Sequence, residues 1–362
     1  MSVEHSPPTV PQDTLAPWAS GGASRLWRAL HGALFAATWV YAAAVLTVLM
    51  LIRVIGERWW PVTLLLFCPR YVYLAPAVLL ALASGLARRH RLLTTQTAIA
   101  LVAAGPLMGF TAHVAWPGVP SNQGRRVRIL TLNQHNGRAR AGDLIRLIER
   151  YEVDVICLQE MVFDPALETY LSRGWYRDHG KCISSRFPIV HQYQPTVAPY
   201  DDPLIDMVRM RTRSGSEFVV ASVHRPTMRP GFESIVTGGV AGLRRTIGVR
   251  RAAMVKLASD LNRAGTSPTI LAGDFNTPGD SSLFDELRNR FHVGFERVGR
   301  GYGYTWPARC PGLRIDHVFS TKDCAFSYCV VGPGVGSDHL PVIAELRLPD
   351  ANIFRNQAES KR

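Results

Sequence analysis

Six polar features stand at the ends of apolar, largely β-branched runs. Asn133 follows VRILTL, Gln159-Glu160 follows VDVICL, His224 follows FVVASV, and Gly273-Asp274-Phe275-Asn276 follows PTILA. Asp316 lies at the start of RIDHVFST, and Ser337-Asp338-His339 precedes LPVIAELRL. Each alone has an ordinary explanation. A strand-end aspartate is usually a turn or cap residue, a single histidine such as His224 is usually structural, and Asp338-His339 reads as a polar loop. Six such features at the ends of six runs are harder to dismiss. Carboxylates and an amide can hold a hard divalent cation, another carboxylate can align water, and imidazoles can move protons. Strand ends of a layered α/β fold converge on one crevice, so residues as far apart as Asn133 and His339 could share a site.

The elements that would position them alternate. Strands are expected at 127–133, 153–160, 218–224, 268–274, 314–321, 326–331 and 340–348, with amphipathic helices at 143–151 and 250–265, the second stopped by Gly265. No internal repeat is present. The fold class is therefore α/β (α+β).

The N-terminal third is different. Between Arg28 and Arg53 lie 24 residues without an acid, lysine or arginine, more than the ~20 needed to cross a bilayer. A second apolar run extends from Tyr71 to Leu86 and a third from about Thr97 to Trp116. Trp59, Trp60, Tyr71 and Tyr73 suit an interfacial belt. Buried helices of a soluble domain are the alternative, but three such runs leave almost no polar face. The expected organisation is a disordered 1–24, a three-helix membrane anchor at 25–120, a catalytic domain at 121–349 and a flexible tail at 350–362. Arginine distribution puts the N-terminus inside and the large domain outside, a multi-pass protein of the cytoplasmic membrane with an extracytoplasmic catalytic domain.

The ordered series N…QE…H…GDFN…RIDH…GSDH resembles the endonuclease/exonuclease/phosphatase superfamily over about residues 126–348. The resemblance implies a four-layer α/β/β/α sandwich of two mixed sheets flanked by helices. It implies that Glu160, supported by Asn133 and with Asp338 nearby, holds Mg²⁺, Mn²⁺ being the alternative metal. It further implies catalytic roles for His224, the Asp274/Asn276 pair, and His339 oriented by Asp316. The anchor plus this domain is similar, more loosely, to bacterial VanJ-like membrane proteins, a branch associated with glycopeptide resistance. Three stretches depart from the pattern or fit it loosely. Gln134-His135-Asn136 replaces an apolar residue and a small turn, and Arg225–Thr246 has no counterpart. Ser184–Ile189 resembles an S-R-x-P-I segment, architectural first, with Arg186 a phosphate-contact candidate.

Such a metal acts as a Lewis acid on a phosphoryl oxygen. By resemblance, Asp274 positions or deprotonates water and Asn276 holds the phosphate or that water. Asp316 would fix the tautomer of His339, and His224 would donate to the leaving oxygen or to the phosphate. The assignment of acid and base among His224, Asp274 and His339 stays open at this stage.

The chain of 362 residues carries 41 Lys+Arg against 28 Asp+Glu, a net charge of +13 that suits an anionic substrate or surface. Arg244-Arg245 and Arg250-Arg251 form the densest basic cluster, read first as a solvated helix face. Among the six cysteines there is no CxxC pair, which argues against a zinc cluster. Cys157 and Cys182 read as buried strand residues, and Cys310, Cys324 and Cys329 could supply one disulfide. The favoured reading is a membrane-anchored Mg²⁺-dependent phosphoesterase acting on a lipid-linked phosphate ester or diester beside membrane lipids. An extracytoplasmic nuclease acting on nucleic acid is the rival on substrate. A silent scaffold binding phosphate headgroups needs few of the acids and histidines, and a transporter would show a repeat or intramembrane acids.

Overall fold

The computed structural model describes residues 18–112, 124–194, 196–197 and 203–349. The start of the disordered N-terminus, the end of the third apolar run at Trp116, the domain boundary at 121 and the tail after Pro349 lie outside the described residues. A helix already begins at Trp18, within the segment expected to be disordered.

Two mixed sheets stack face to face. One runs in the order Ala325–Val331, Val342–Leu348, Arg125–Asn133, Val155–Gln159, Ile183–Ser185, Tyr176–Arg177. The other runs Phe291–Val293, Asp316–Thr321, Thr269–Asp274, Glu217–His224, Pro203–Arg211, Ile189–Gln192, with Thr196–Val197 beside Pro203–Arg211. Period-two alternation explains the layering. Ile129, Val155 and Cys157 face Val220, Ile270 and Val318 in the inter-sheet core. The residues between them face outward. Leu130, Leu132 and Ile156 pack on Leu144, Leu147 and Ile148 of the helix Ala141–Arg150. Val219, Ala221 and Leu271 pack on Met254 and Leu257 of the helix Val240–Asp260. This is the expected arrangement of two mixed sheets flanked by helices. The unplaced stretch after Arg225 forms the helix Arg229–Gly238 and the first turns of Val240–Asp260.

The N-terminal third departs from expectation. Among the described residues one helical segment, Arg25–Arg58, is long and apolar enough to cross a membrane, and a second exists only if a pair bent by 90° is counted as one span. The bend falls at Cys68-Pro69, between Trp60–Phe67 and Arg70–Leu86. Proline lacks an N–H and pushes the preceding residue out of the helical region, and Cys68 is extended at φ −66°, ψ 135°. The third run gives the 13-residue helix His90–Val102, ending in a π-helical turn around Pro106. At ~1.5 Å per residue this helix falls well short of a ~30 Å hydrocarbon core. Three spans are therefore corrected to one.

The helix Trp60–Phe67 and the turn at Arg70 pack against the sheet domain instead, while His90–Val102 packs on the other N-terminal helices. Trp60, Leu64 and Phe67 join Met228, Leu243 and Ile247 in one apolar cluster. Buried Arg70 donates to Leu66 O (2.9 Å) and to Asp280 Oδ1 (2.8 Å). Buried Glu57 accepts from Ser281 Oγ at 2.6 Å and lies 3.8 Å from Arg250 Nε. Removing one partner of a buried pair leaves an uncompensated charge. Glu57→Ala is expected to destabilise the protein by about 3–5 kcal/mol, read as a fall in Tm of the full chain in detergent; an unchanged Tm would show that the two parts do not depend on this pair.

The cysteines are all free thiols, so the suggested disulfide is absent; Cys310 is exposed while Cys324 and Cys329 are buried. Cys157 is buried in its strand as expected, but Cys182 is half-buried and precedes the strand Ile183–Ser185.

Candidate active site

The strand pairings bring the chemistry together. The strands ending at His224 and Asp274 run parallel with these two residues in register, and Asp316 opposes Asp274 across an antiparallel pair. In the other sheet, Asn133 pairs with Gln159, which puts Glu160 one residue beyond the strand end. Gln159 itself bridges the sheets, donating to Ser222 Oγ at 3.0 Å. Gly273 is required by close approach: a Cβ there would lie 1.9 Å from Val223 O. Phe275 anchors the following loop with its ring 5.0 Å from Phe319 and 5.6 Å from Phe284. It turns Asp274 and Asn276 toward the cleft from a fixed apolar base. His135, Asn136, Glu160 and Asn276 all have positive φ (48–52°), an uncommon conformation outside glycine that clusters at functional sites.

Asn133 lies at the centre. Its Nδ2 donates to Glu160 Oε1 (2.9 Å) and to Asp274 Oδ2 (3.0 Å), and its Oδ1 accepts from His135 N (2.9 Å). Asn133 thus presents its amide nitrogen to the two carboxylates, and its oxygen is engaged by its own loop. Asp274, 1% exposed, also accepts from Asn276 N (2.7 Å) and Asn276 Nδ2 (3.0 Å). His339 Nε2 lies 3.8 Å from Asp274 Oδ2, and its Nδ1 is 2.9 Å from Asp316 Oδ2. Ser337 Oγ donates to Asn133 O at 2.6 Å and accepts from His339 N at 3.0 Å, tying the Ser337–His339 loop to the first strand. His224 Nε2 lies 3.5 Å from Glu160 Oε1. Asp338 sits at the rim, its oxygens 2.9 Å from His135 Nδ1 and 3.3 Å from Trp306 Nε1.

Burial separates the ionisations. It raises the Asp274 carboxyl, with Asp316 adding to the effect and the histidines opposing it, to about 6. Burial would lower the His339 imidazole, but Asp316 and Asp274 outweigh it and hold His339 up at about 10. His317, next to Asp316, is the structural histidine of the motif. It bonds Thr277 O at 2.9 Å, and burial, with Arg314 beside it, lowers it to about 3.

The donor set fits a hard divalent cation. Glu160 offers Oε2, Asp316 Oδ1 is buried without a partner, and carboxylate oxygens of Asp274 and Asp316 lie within 4.8 Å of each other, while His339, held protonated, offers no lone pair. Oxygen-rich sites of this kind suit Mg²⁺ or Mn²⁺.

All eight sequence-derived residues meet here, and all but the buried Asp316 line a cleft of about 810 Å³. Arg186 does not reach it. Its Nε donates to Val153 O at 3.1 Å and its guanidinium covers Trp175, at the opposite end of the Val155–Gln159 strand from Glu160. Of the basic cluster, Arg244, Arg245 and Arg251 are exposed as expected, whereas Arg250 is buried. Sequence reasoning gave no role to His135, Trp306 and Phe67, which also line the cleft, as does Arg225, the start of the Arg225–Thr246 stretch that the sequence reading put on the substrate side. The departure at Gln134-His135-Asn136 was the signal for the first; Phe67 is contributed by the N-terminal helices and had none.

Among solved structures, an endonuclease/exonuclease/phosphatase family protein from Bacteroides thetaiotaomicron is 18% identical over 63% of this chain and 100% of its own, with a TM-score of 0.49. A mannosyl-6-phosphatase of the same organism is 18% identical over 61% of this chain and 99% of its own, TM-score 0.47. The human Nocturnin catalytic domain with bound sulfate is 17% identical over 61% and 94%, TM-score 0.45. No curated protein sequence matches the chain. The family model for endonucleases, exonucleases and phosphatases matches residues 130–339, from the first strand of the site to His339. With more than half of its length matched, the chain belongs to the endonuclease/exonuclease/phosphatase family and is a hydrolase of phosphoric esters.

Proposed function

We propose that the protein is a membrane-anchored phosphoesterase that cleaves a lipid-linked phosphoester with water as nucleophile. The observation that carries this reading is the two-sided cleft. His224, Glu160, Asp274, Asn276 and His339 line its polar side, while Phe67, Met228 and Phe232 line an apolar side. Phe67 comes from the same N-terminal body as the apolar helix Arg25–Arg58 and stacks edge-on to Phe232 at 5.5 Å. A phosphate head with a hydrocarbon tail matches both halves. A single crossing with the N-terminus inside puts the cleft on the outer side of the cytoplasmic membrane, next to membrane lipids.

Glu160 and Asp338 would hold the Mg²⁺ or Mn²⁺, with Asn133 fixing the Glu160 carboxylate. The bound ion supplies Lewis-acid stabilisation of phosphoryl charge. Asp274 takes the proton of the attacking water, which Asn276 orients. His339, kept protonated by Asp316, donates a charge-assisted hydrogen bond to a phosphoryl oxygen. His224, across the cleft beside Glu160, donates to the leaving oxygen.

The pH profile follows from these states. Asp274 works as the carboxylate, so kcat/KM rises as pH passes about 6. His339 works as the imidazolium, so the rate falls only as pH approaches about 10. Asp316→Asn removes the strongest attraction on that proton and is expected to move the descending limb to lower pH; an unmoved limb would assign it to another group.

The full chain in detergent with Mg²⁺, offered a polyprenyl or phospholipid phosphate, bis-p-nitrophenyl phosphate and plasmid DNA in parallel, tests the substrate class. The lipid phosphate is expected to have the highest kcat/KM. Turnover confined to the plasmid would replace this reading with the nuclease.

A further inference from the structure

Arg250 lies in the middle of the helix Val240–Asp260 and is 1% exposed. It does not line the cleft, but its guanidinium reaches both loops that leave the two central strands there. Nη1 donates to Pro226 O (2.6 Å), two residues beyond His224, and Nη2 donates to Thr277 Oγ1 (2.9 Å), next to Asn276. Its own carbonyl accepts from Arg225 Nη2 at 2.5 Å. A guanidinium holds its donors in fixed directions, so one side chain can set the spacing of two acceptors.

The sheet alone does not fix these loops. The ladder between the two strands ends at His224 and Asp274. Beyond it, Arg225 N donates to Asp274 O (3.0 Å) and Asn276 Nδ2 donates to Arg225 O (2.9 Å). Asn276 has a φ of 48°, a conformation that a residue other than glycine keeps only where its surroundings over-determine it. Thr277 supplies that constraint. Its Oγ1 donates to Phe275 O (2.7 Å) and accepts from Arg250, and its carbonyl accepts from His317 Nε2 (2.9 Å). The N-terminal body braces the arginine in turn. Glu57 Oε2 lies 3.8 Å from Arg250 Nε, and the Phe67 ring lies 5.3 Å from the guanidinium carbon.

We propose that Arg250 is a positioning residue for phosphoester hydrolysis. It clamps the loop after His224 to the loop after Asp274, so that Asn276 meets the reacting group from a fixed place, and Glu57 and Phe67 hold the clamp from the N-terminal side. The inference rests on the hydrolytic reading of this site. A reacting geometry disturbed by about 1 Å can lose ~10²-fold in rate, and a clamp of this kind acts on kcat rather than on ground-state binding.

Hydrogen–deuterium exchange and steady-state kinetics on the full chain in detergent test this together. Thr277→Val keeps the shape of the side chain and removes the acceptor, Thr277→Ser keeps the hydroxyl, and Arg250→Lys keeps the charge facing Glu57 but not the fork. In the valine and lysine forms the amides of 225–228 and 275–277 are expected to exchange about tenfold faster or more, with the strand Val155–Gln159 unchanged. With Mg²⁺ and bis-p-nitrophenyl phosphate, kcat is expected to fall roughly ten- to hundredfold at an unchanged KM, and the serine form is expected to recover most of it. Ile148→Val, a core truncation in the helix Ala141–Arg150, is the stability control, expected to lower Tm and leave kcat as in the parent. Unchanged exchange in both the valine and lysine forms would overturn the clamp, whether or not the parent hydrolyses the ester. Faster exchange with the parent's kcat, a serine form no better than the valine form, or an equal loss of kcat in Ile148→Val would overturn its part in the reaction.

Discussion

His339→Gln lowers kcat by about 10²–10⁴, the usual worth of a positioned acid–base group, and leaves the fold intact. The imidazole lies between two buried carboxylates, with Nδ1 2.9 Å from Asp316 and Nε2 3.8 Å from Asp274. Glutamine keeps a donor for Asp316 and removes the charge that faces the phosphoryl group. Alanine would also strand both carboxylates in the interior, mixing a folding defect into the result. Single-turnover rates with melting curves check this. A kcat within threefold of the parent, on a folded variant, would exclude His339 from the reaction.

Asp274→Asn is expected to lose a similar 10²–10⁴, with a distinct signature in pH. Asp274 accepts three hydrogen bonds, from Asn276 N, Asn276 Nδ2 and Asn133 Nδ2. An amide offers one oxygen and one NH₂, so an N–H must face an N–H donor and the Asn133–Glu160 contact loosens as well. The ascending limb near pH 6 belongs to the carboxylate and disappears with it. A residual rate that still rises through pH 6 would transfer that limb to another acid.

Much of this site was legible in the chain because strand periodicity and chemistry coincide. Runs such as FVVASVH and PTILAGD state their own direction, apolar through the core and polar at the exit, and the strands Glu217–His224 and Thr269–Asp274 match them within a residue. The ligand-bearing side of Asn133 was not legible, because the orientation of an amide is set by His135 N and two carboxylates that arrive from distant segments. Composition misled in the N-terminal third. Hydropathy sees apolar residues but not whether they face lipid or protein, and Trp60, Leu64 and Phe67 face Met228, Leu243 and Ile247. Arg250 misled for the same reason: in sequence it sits among solvated arginines, and it turns inward to Pro226 O, Thr277 Oγ1 and Glu57, which arrive from other segments.

The central claim is that these acids, amides and imidazoles form one divalent-metal phosphoesterase centre, and metal removal and return on the purified full chain tests it most directly. Hydrolysis of bis-p-nitrophenyl phosphate or a lipid phosphate is expected with Mg²⁺, to vanish in EDTA, to return with excess Mg²⁺ or Mn²⁺, and to be lost in Glu160→Ala at every metal concentration that sustains the parent. A rate that survives EDTA, or a Glu160→Ala protein with the parent's rate and metal dependence, would contradict it.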